Sequence, residues 1–196
     1  MMSPLRQAAL FLLCVTLYAS PAFAATSTKE KSLGVYGVWH AYSYNESGQT
    51  VCYMVTTKTL TSSGPKKRSA PYLMITHRPT EASIDVISYG AGTLLNTKRD
   101  VKITIGKSTF NFFSVRDTAW ARDSQTDHRV AAAIKNATVA QAGGVADVKG
   151  TKTIGDKFDL TGAALAYHAI GKACGLPDET LKKPTIKKKA AVTKKT

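Results

Sequence analysis

Short apolar runs alternating with polar residues recur along the chain at spacings that suit β-strands rather than long helices. Residues 33–44 carry Val35, Tyr36, Val38 and Trp39. Residues 50–58 alternate and are rich in β-branched side chains, and residues 71–77 and 84–89 repeat the pattern. Residues 101–105 have strict period two, with Val101, Ile103 and Ile105 on one face. Gly106-Lys107-Ser108 then turns the chain into residues 110–115, which predicts a hairpin. Asn45-Glu46-Ser47-Gly48 and Gly90-Ala91-Gly92 read as turns, because Asn and Gly accept the positive φ of a tight reversal. Residues 61–69, with Ser62-Ser63-Gly64-Pro65 and Lys66-Lys67-Arg68, read as an exposed loop. Pro79 ends the strand before it, having no N–H for the ladder. Residues 138–148 and 151–160 are expected as further strands, with turns near Gly143-Gly144 and Gly155-Asp156.

Two segments carry a helical period instead. Residues 127–135 place Val130 and Ile134 on one side, with Asp127 as the expected N-cap. Residues 162–174 are expected as a helix capped by Thr161. Its small face (Ala163, Ala166, Ile170, Ala173, Cys174) would lie flat on a sheet. Gly175 stands where a left-handed cap is wanted, and Pro177 prevents continuation. The fold class predicted is therefore mainly β: a single β-sandwich or barrel-like domain of short antiparallel strands, with a short middle helix and a C-terminal helix.

The ends of the chain follow other rules. Residues 1–24 have a positive start at Arg6, an apolar run over 8–18 too short to span a bilayer, and the cleavage motif Ala22-Phe23-Ala24, so they read as a signal peptide. An N-terminal membrane anchor is the alternative. Removing 24 of 196 residues leaves 172, enough for one domain with a real core. The expected organisation is signal peptide 1–24, polar lead-in 25–32, β domain 33–176 and a Lys-rich disordered tail 177–196. The mature chain is expected to be soluble or peripheral, in the periplasm, with outer-membrane or surface association as an open alternative.

Export changes how the cysteines are read. Cys14 leaves with the signal, and Cys52 and Cys174 remain in an oxidising compartment, where a disulfide is the default and two buried free thiols the alternative. A loop of about a hundred residues is worth roughly 4–5 kcal/mol in the chain-entropy picture. The formal charge is +14. About half of the excess lies in the tail, where Lys182, Lys183, Lys187, Lys188, Lys189, Lys194 and Lys195 stand with no acid among them. The tail is a solubilising extension or an electrostatic tether to an anionic surface such as lipopolysaccharide, acidic phospholipid or polyanionic glycan. Nucleic acid would suit the charge, but export argues against it.

Candidate chemistry adds little. Ile105-Gly106-Lys107-Ser108-Thr109 lacks the earlier glycine of a phosphate-binding loop and is flanked by strands. His40, His77, His128 and His168 are scattered, with no metal-ligand spacing, and read as surface or half-buried residues. A G-x-S-x-G turn is absent. Asp117, Asp123 and Asp127 around Trp120 suit salt bridges and caps better than calcium, with Arg116 and Arg122 nearby. Trp39, Trp120, Phe110 and Phe112 read as core, since they do not cluster as a glycan platform would. No catalytic residue, metal or cofactor is expected.

Trp39 followed by Val51-Cys52-Tyr53-Met54, then Met74-Ile75-Thr76-His77-Arg78-Pro79, Asp117-Thr118-Ala119-Trp120-Ala121, residues 130–135, Gly155-Asp156-Lys157-Phe158-Asp159-Leu160-Thr161-Gly162 and Ala169-Ile170-Gly171-Lys172-Ala173-Cys174 carry a resemblance. In their order and spacing, over about residues 33–175, the chain resembles the invasion-associated locus B family of exported alphaproteobacterial proteins. The resemblance implies a periplasmic or envelope-associated β protein without an established catalytic residue or cofactor, named for a link to host-cell entry. Residues 138–144 are richer in Ala and Gly than a strand of that family would be, and the lysine tail lies beyond the shared region. The expectation is a non-enzymatic envelope protein with an envelope or host partner. A glycan-binding or glycan-hydrolysing module, and a chaperone-like binder using a strand edge, are the alternatives.

Overall fold

A computed structural model describes residues 29–147 and 152–177. The strands are β1 (Lys31–Tyr36), β2 (Trp39–Glu46), β3 (Gln49–Thr56), β4 (Thr59–Ser63), β5 (Tyr72–Arg78), β6 (Ser83–Gly90), β7 (Val101–Ile105), β8 (Ser108–Val115), β9 (Thr118–Trp120), β10 (Val139–Ala146) and β11 (Lys152–Asp159). A single 3-10 turn, Pro79–Glu81, joins β5 to β6, and the helices are α1 (Ser124–Asn136) and α2 (Ala163–Ala173). All the strands join one antiparallel sheet in the order β1-β2-β3-β5-β6-β9-β8-β7-β10-β11-β4. Four strands separate β6 from β11 in that order, yet the Tyr89 hydroxyl of β6 reaches Asp156 of β11 at 2.5 Å. The sheet therefore curls over a shared interior, a sandwich-like arrangement of two halves with the helices laid on one of them.

Alternation sets which residues meet inside. Trp39 and Ala41 of β2, Cys52 and Met54 of β3, Leu73 and Ile75 of β5, and Ile87 and Tyr89 of β6 line one half of the interior. Val101, Ile103 and Ile105 of β7, Ala140 and Ala142 of β10, and Ile154 and Phe158 of β11 line the other. Helix α2 packs on β1, β2 and β3, and α1 packs on β6 and on α2. Strand β9 is short and covers only Ser88–Gly90 of β6. Beyond it α1 takes over the edge of β6, where Asp127 accepts the Ile87 N–H at 2.9 Å. A helix side chain thus satisfies a ladder donor that no strand reaches.

Several local expectations are corrected. The stretch 33–44 is two strands, broken at Gly37, where φ is +60° and a Cβ would stand 2.3 Å from the Thr161 carbonyl oxygen. Part of the loop 61–69 belongs to β4, an edge strand with almost no inward apolar residue to announce it. The turns expected at Gly143-Gly144 and Gly155-Asp156 do not exist: β10 and β11 pair without interruption from Val139↔Asp159 to Ala146↔Lys152. Helix α1 starts earlier than expected. Asp123 is its N-cap, accepting the Thr126 N–H at 2.7 Å, while Asp127 lies within the first turn and faces β6. Thr161 does not cap α2, because its hydroxyl and N–H both bond Asp159 and the N-cap is Gly162.

Candidate functional site

Cys52 lies on the inward face of β3, and Cys174 closes α2. The last turn of α2 ends in a Schellman arrangement: Leu176 N–H donates to the Gly171 carbonyl at 2.9 Å and Gly175 N–H to that of Lys172 at 3.1 Å. Gly175 takes the left-handed conformation at φ +68°. The cap holds Cys174 against the sheet, and Cys52 and Cys174 form a disulfide with a Cα–Cα distance of 5.9 Å and a sequence separation of 122. Val130 and Ile134, and likewise Ala163, Ala166 and Ile170, face the interior as their period requires.

Beneath that disulfide sits the first of two buried polar knots. Asp85, with φ +65°, accepts the Tyr167 hydroxyl of α2 at 2.6 Å through one oxygen. Its other oxygen lies 2.7 Å from Nδ1 of His128 on α1. Its backbone N–H donates to Nδ1 of His77 on β5 at 3.1 Å. His77 is therefore an acceptor at Nδ1 and neutral. Its side chain is 0% exposed, and burial pushes its pKa down to about 4, with Asp85 opposing and Lys135 assisting. The Lys135 ammonium lies 3.8 Å over the Tyr167 ring, and burial lowers its pKa as well. Burial, then the bond to Asp85, pushes the Tyr167 hydroxyl up, so it remains a donor. Asp127, next to this group, is pushed up to about 6 by burial, against the Ile87 N–H that favours its charged form.

The second knot lies across the interior. Asp156 of β11 accepts two bonds from the Arg68 guanidinium, one from the Ser62 hydroxyl at 2.8 Å and one from Tyr89 at 2.5 Å. Arg68 also donates to the Ala91 carbonyl at 2.8 Å. Side-chain exposures of 7% and 0% for Arg68 and Asp156 make this a sequestered pair. The bond to Asp156 raises the Arg68 pKa further above its ordinary value.

Chemically, the Asp85–His128 pair orients an imidazole whose side chain is 53% exposed. Among the described residues no hydroxyl or thiol bonds to His128, and no three His, Cys, Asp or Glu side chains converge to hold a metal. Both knots fasten elements together.

The outer face of the first half is where the molecule offers an open surface. Tyr42 of β2 and Tyr53 of β3 are cross-strand partners whose rings stack at 5.1 Å, with Tyr44 edge-on at 6.2 Å and His40 parallel to Tyr42 at 6.5 Å. Tyr53 donates to Glu30 at 2.7 Å; burial, then that bond, raises its hydroxyl's pKa. Arg78 pairs with Glu46 and donates to the Tyr44 hydroxyl at 3.2 Å. Tyr44, Tyr53, Arg78, Glu30 and Glu46, with Met74 and Thr76, border a cavity of about 610 Å³. Further along the same half, Trp120 and Phe113 contact at 6.1 Å.

Several candidate residues fall elsewhere than expected. His77, read as an ordinary surface or half-buried residue, is fully buried in the Asp85 knot, while His128 lies at the surface as read and joins the knot from there. Trp39, Phe110 and Phe112 are core, but Trp120 is part of the outer face. Asp123 is a cap, Asp127 binds a backbone N–H, and Arg122 pairs with Asp100 rather than with its near neighbours. Lys182, Lys183, Lys187, Lys188, Lys189, Lys194 and Lys195, like residues 1–24, lie outside the described residues. Sequence reasoning missed the tyrosine ladder, although Tyr42, Tyr44 and Tyr53 share one parity across an obvious hairpin.

No protein-family model matches the chain, and no curated protein matches it. Among solved structures it is similar to invasion associated protein B from Bartonella henselae, with a TM-score of 0.53 and 14% sequence identity over 73% of this chain and 96% of that one. At that identity the likeness is one of fold. Among the described residues no helix is long and apolar enough to cross a membrane.

Proposed function

We propose that the chain is an exported, non-enzymatic envelope protein of the invasion-associated locus B type that works by binding a protein partner through the tyrosine face of β2 and β3. The observation that carries the reading is the fold likeness, which spans nearly the whole of the Bartonella protein. The ladder supplies the contact surface. Stacked tyrosines present a broad apolar area with polar tips and few rotatable bonds, the combination favoured at protein interfaces. Arg78 and Glu30 pin two of the hydroxyls, so little ordering is needed on binding. The disulfide and the Asp85 knot hold the inner side of the same strands against α2, giving the platform a rigid backing.

The test is crosslinking of the full chain in its own cells, followed by fractionation. The wild type is expected in the periplasmic or envelope fraction with a discrete protein adduct. Tyr42→Ser/Tyr53→Ser is expected to lose about tenfold or more of that adduct while keeping its disulfide and melting temperature, as for a truncated interface anchor. A chain retained in the cytoplasm, or an adduct indifferent to the substitutions, would overturn the reading.

A further inference from the structure

The outer face of the second half carries a groove that none of the roles above uses. Strands β4, β11, β10 and β7 run side by side there, and register puts Ser63, Gly155, Gly143 and Lys102 in one cross-strand row. Thr61, Lys157, Gln141 and Thr104 form the next row on the same face. The groove holds about 390 Å³ over the glycine pair. It continues past Thr104, Gln141 and Lys157 into a further 540 Å³ beside Gly106 and the end of α1.

Its floor is glycine without a backbone reason. Neither Gly143 nor Gly155 has positive φ, and neither sits at a bulge. A Cβ on Gly143 would have its nearest neighbour at 3.7 Å, an ordinary contact, and one on Gly155 would meet the movable Ser63 hydroxyl at 3.1 Å. Adjacent Gly144 differs. It faces inward, where a Cβ would press on Val101 at 3.0 Å, so packing accounts for it. Glycine inside a strand forfeits cross-strand packing, and a pair left bare in mid-sheet with no bulge leaves close approach of a ligand as its use.

The walls state the chemistry. Lys102 and Lys157 stand on opposite sides of β10, two strand spacings across and two residues along, about 12 Å apart at the backbone. Between and beside them are hydroxyls and the Gln141 amide. Asp156 borders the groove, but the residue is 2% exposed and its carboxylate is turned inward to Arg68, and among the described residues no other acid lines the groove. No aromatic ring lines the groove. A narrow trough with hydrogen-bonding walls and two spaced cations fits one extended anionic strand rather than a flat surface. We propose that the groove binds a segment of acidic glycan. Its carboxylates would meet Lys102 and Lys157, and its sugar ring would lie on the bare backbone at Gly143 and Gly155. The inference is independent of the tyrosine face.

The test titrates the full chain with a short oligogalacturonate, with its methyl-esterified neutral counterpart and with vesicles of phosphatidylglycerol. Any background from the lysine tail is common to every variant. The acidic oligosaccharide is expected to bind, and more weakly as salt is raised. Lys102→Glu/Lys157→Glu is expected to weaken it about tenfold or more. Gly143→Val is expected to abolish binding with an unchanged or higher Tm, since a β-branched residue suits that strand. Lys29→Glu/Lys31→Glu, which makes the same change in charge on the far edge of the sheet, should leave affinity within about twofold. The proposal is overturned if the far-edge pair weakens binding as much as the groove pair, if the neutral oligosaccharide binds as well, or if Gly143→Val binds normally. It is overturned in favour of a membrane surface if the vesicles bind through Lys102 and Lys157 and the oligosaccharide does not.

Discussion

Of the three aspartates buried among the described residues, Asp85 and Asp156 each receive a tyrosine hydroxyl across the interior, yet they are countered by different chemistry. Asp156 meets Arg68, a fixed positive charge with several donors in a planar fork. Asp85 meets histidines and a half-buried lysine, groups whose charge depends on where they sit. The Asp156 knot joins the two halves of the curled sheet, through β4, β6 and β11. The Asp85 knot joins one half to its helices and lies under the only disulfide among the described residues. Permanent ion pairing closes the sandwich, while titratable contacts and a covalent bond seat the helices behind the tyrosine face.

Removing the disulfide should break that comparison hardest. Cys52→Ala/Cys174→Ala releases a loop of 122 residues and is expected to cost about 5 kcal/mol. Hydrogen exchange should rise first in α2 and β3, with β7, β10 and β11 following only on global unfolding. Equal loss of protection in both halves would show that the covalent bond does not serve one side preferentially.

Next in size are the aspartates themselves. Asp156→Ala leaves the Arg68 guanidinium buried without its partner and is expected to cost about 3–5 kcal/mol. Asp85→Ala strands one tyrosine hydroxyl and leaves a half-exposed imidazole free to find water, for about 1–3 kcal/mol. Urea denaturation of the two variants ranks them. A larger loss at Asp85 would reverse the assignment of the permanent pair as the stronger fastening.

The smallest effect is in pH. His77 is held neutral in the fold down to about pH 4, whereas the unfolded chain protonates it near 6.5. The unfolded state thus binds the extra proton between those values, and stability falls as pH falls through that window. Asp127 acts oppositely. Its folded value of about 6 lies above the 3.8 of the unfolded chain, so acidification from about 6 to 3.8 adds stability, and rising pH removes it. The two slopes oppose each other, which predicts a shallow profile for the wild type. Asp127→Asn keeps an oxygen for the Ile87 N–H but removes the second slope. Its Tm should fall more steeply between pH 6.5 and 4, by up to about 3 kcal/mol in stability. Parallel profiles for variant and wild type would sink this account.

Most strands were legible because alternation is a local property. β5, β7 and β8 alternate buried positions with more open ones, and their residues say so. β4 was not legible, because an edge strand with Thr and Ser on both faces carries no alternation, and its ladder bonds come from β11, far away in sequence. Gly143 and Gly155 invited a turn because glycine is the usual turn residue. Their place in mid-strand is decided by pairing, which leaves no local mark. His77 was misread for the same kind of reason: it and Asp85 are eight residues apart, but His128 and Tyr167 reach the same carboxyl group from two helices.

By itself the sequence determined the β class of the chain, most of its strands, the helical period of α1 and α2, and the left-handed stop at Gly175. These depend on periodicity and on the φ a residue accepts. Tertiary structure alone decided which carboxyl groups meet a fixed cation and which meet a histidine. It also gathered the tyrosines into a ladder and bared two glycines between two lysines. Contacts of that kind join residues from strands distant in sequence, and they exist only once the curl of the sheet has chosen its neighbours.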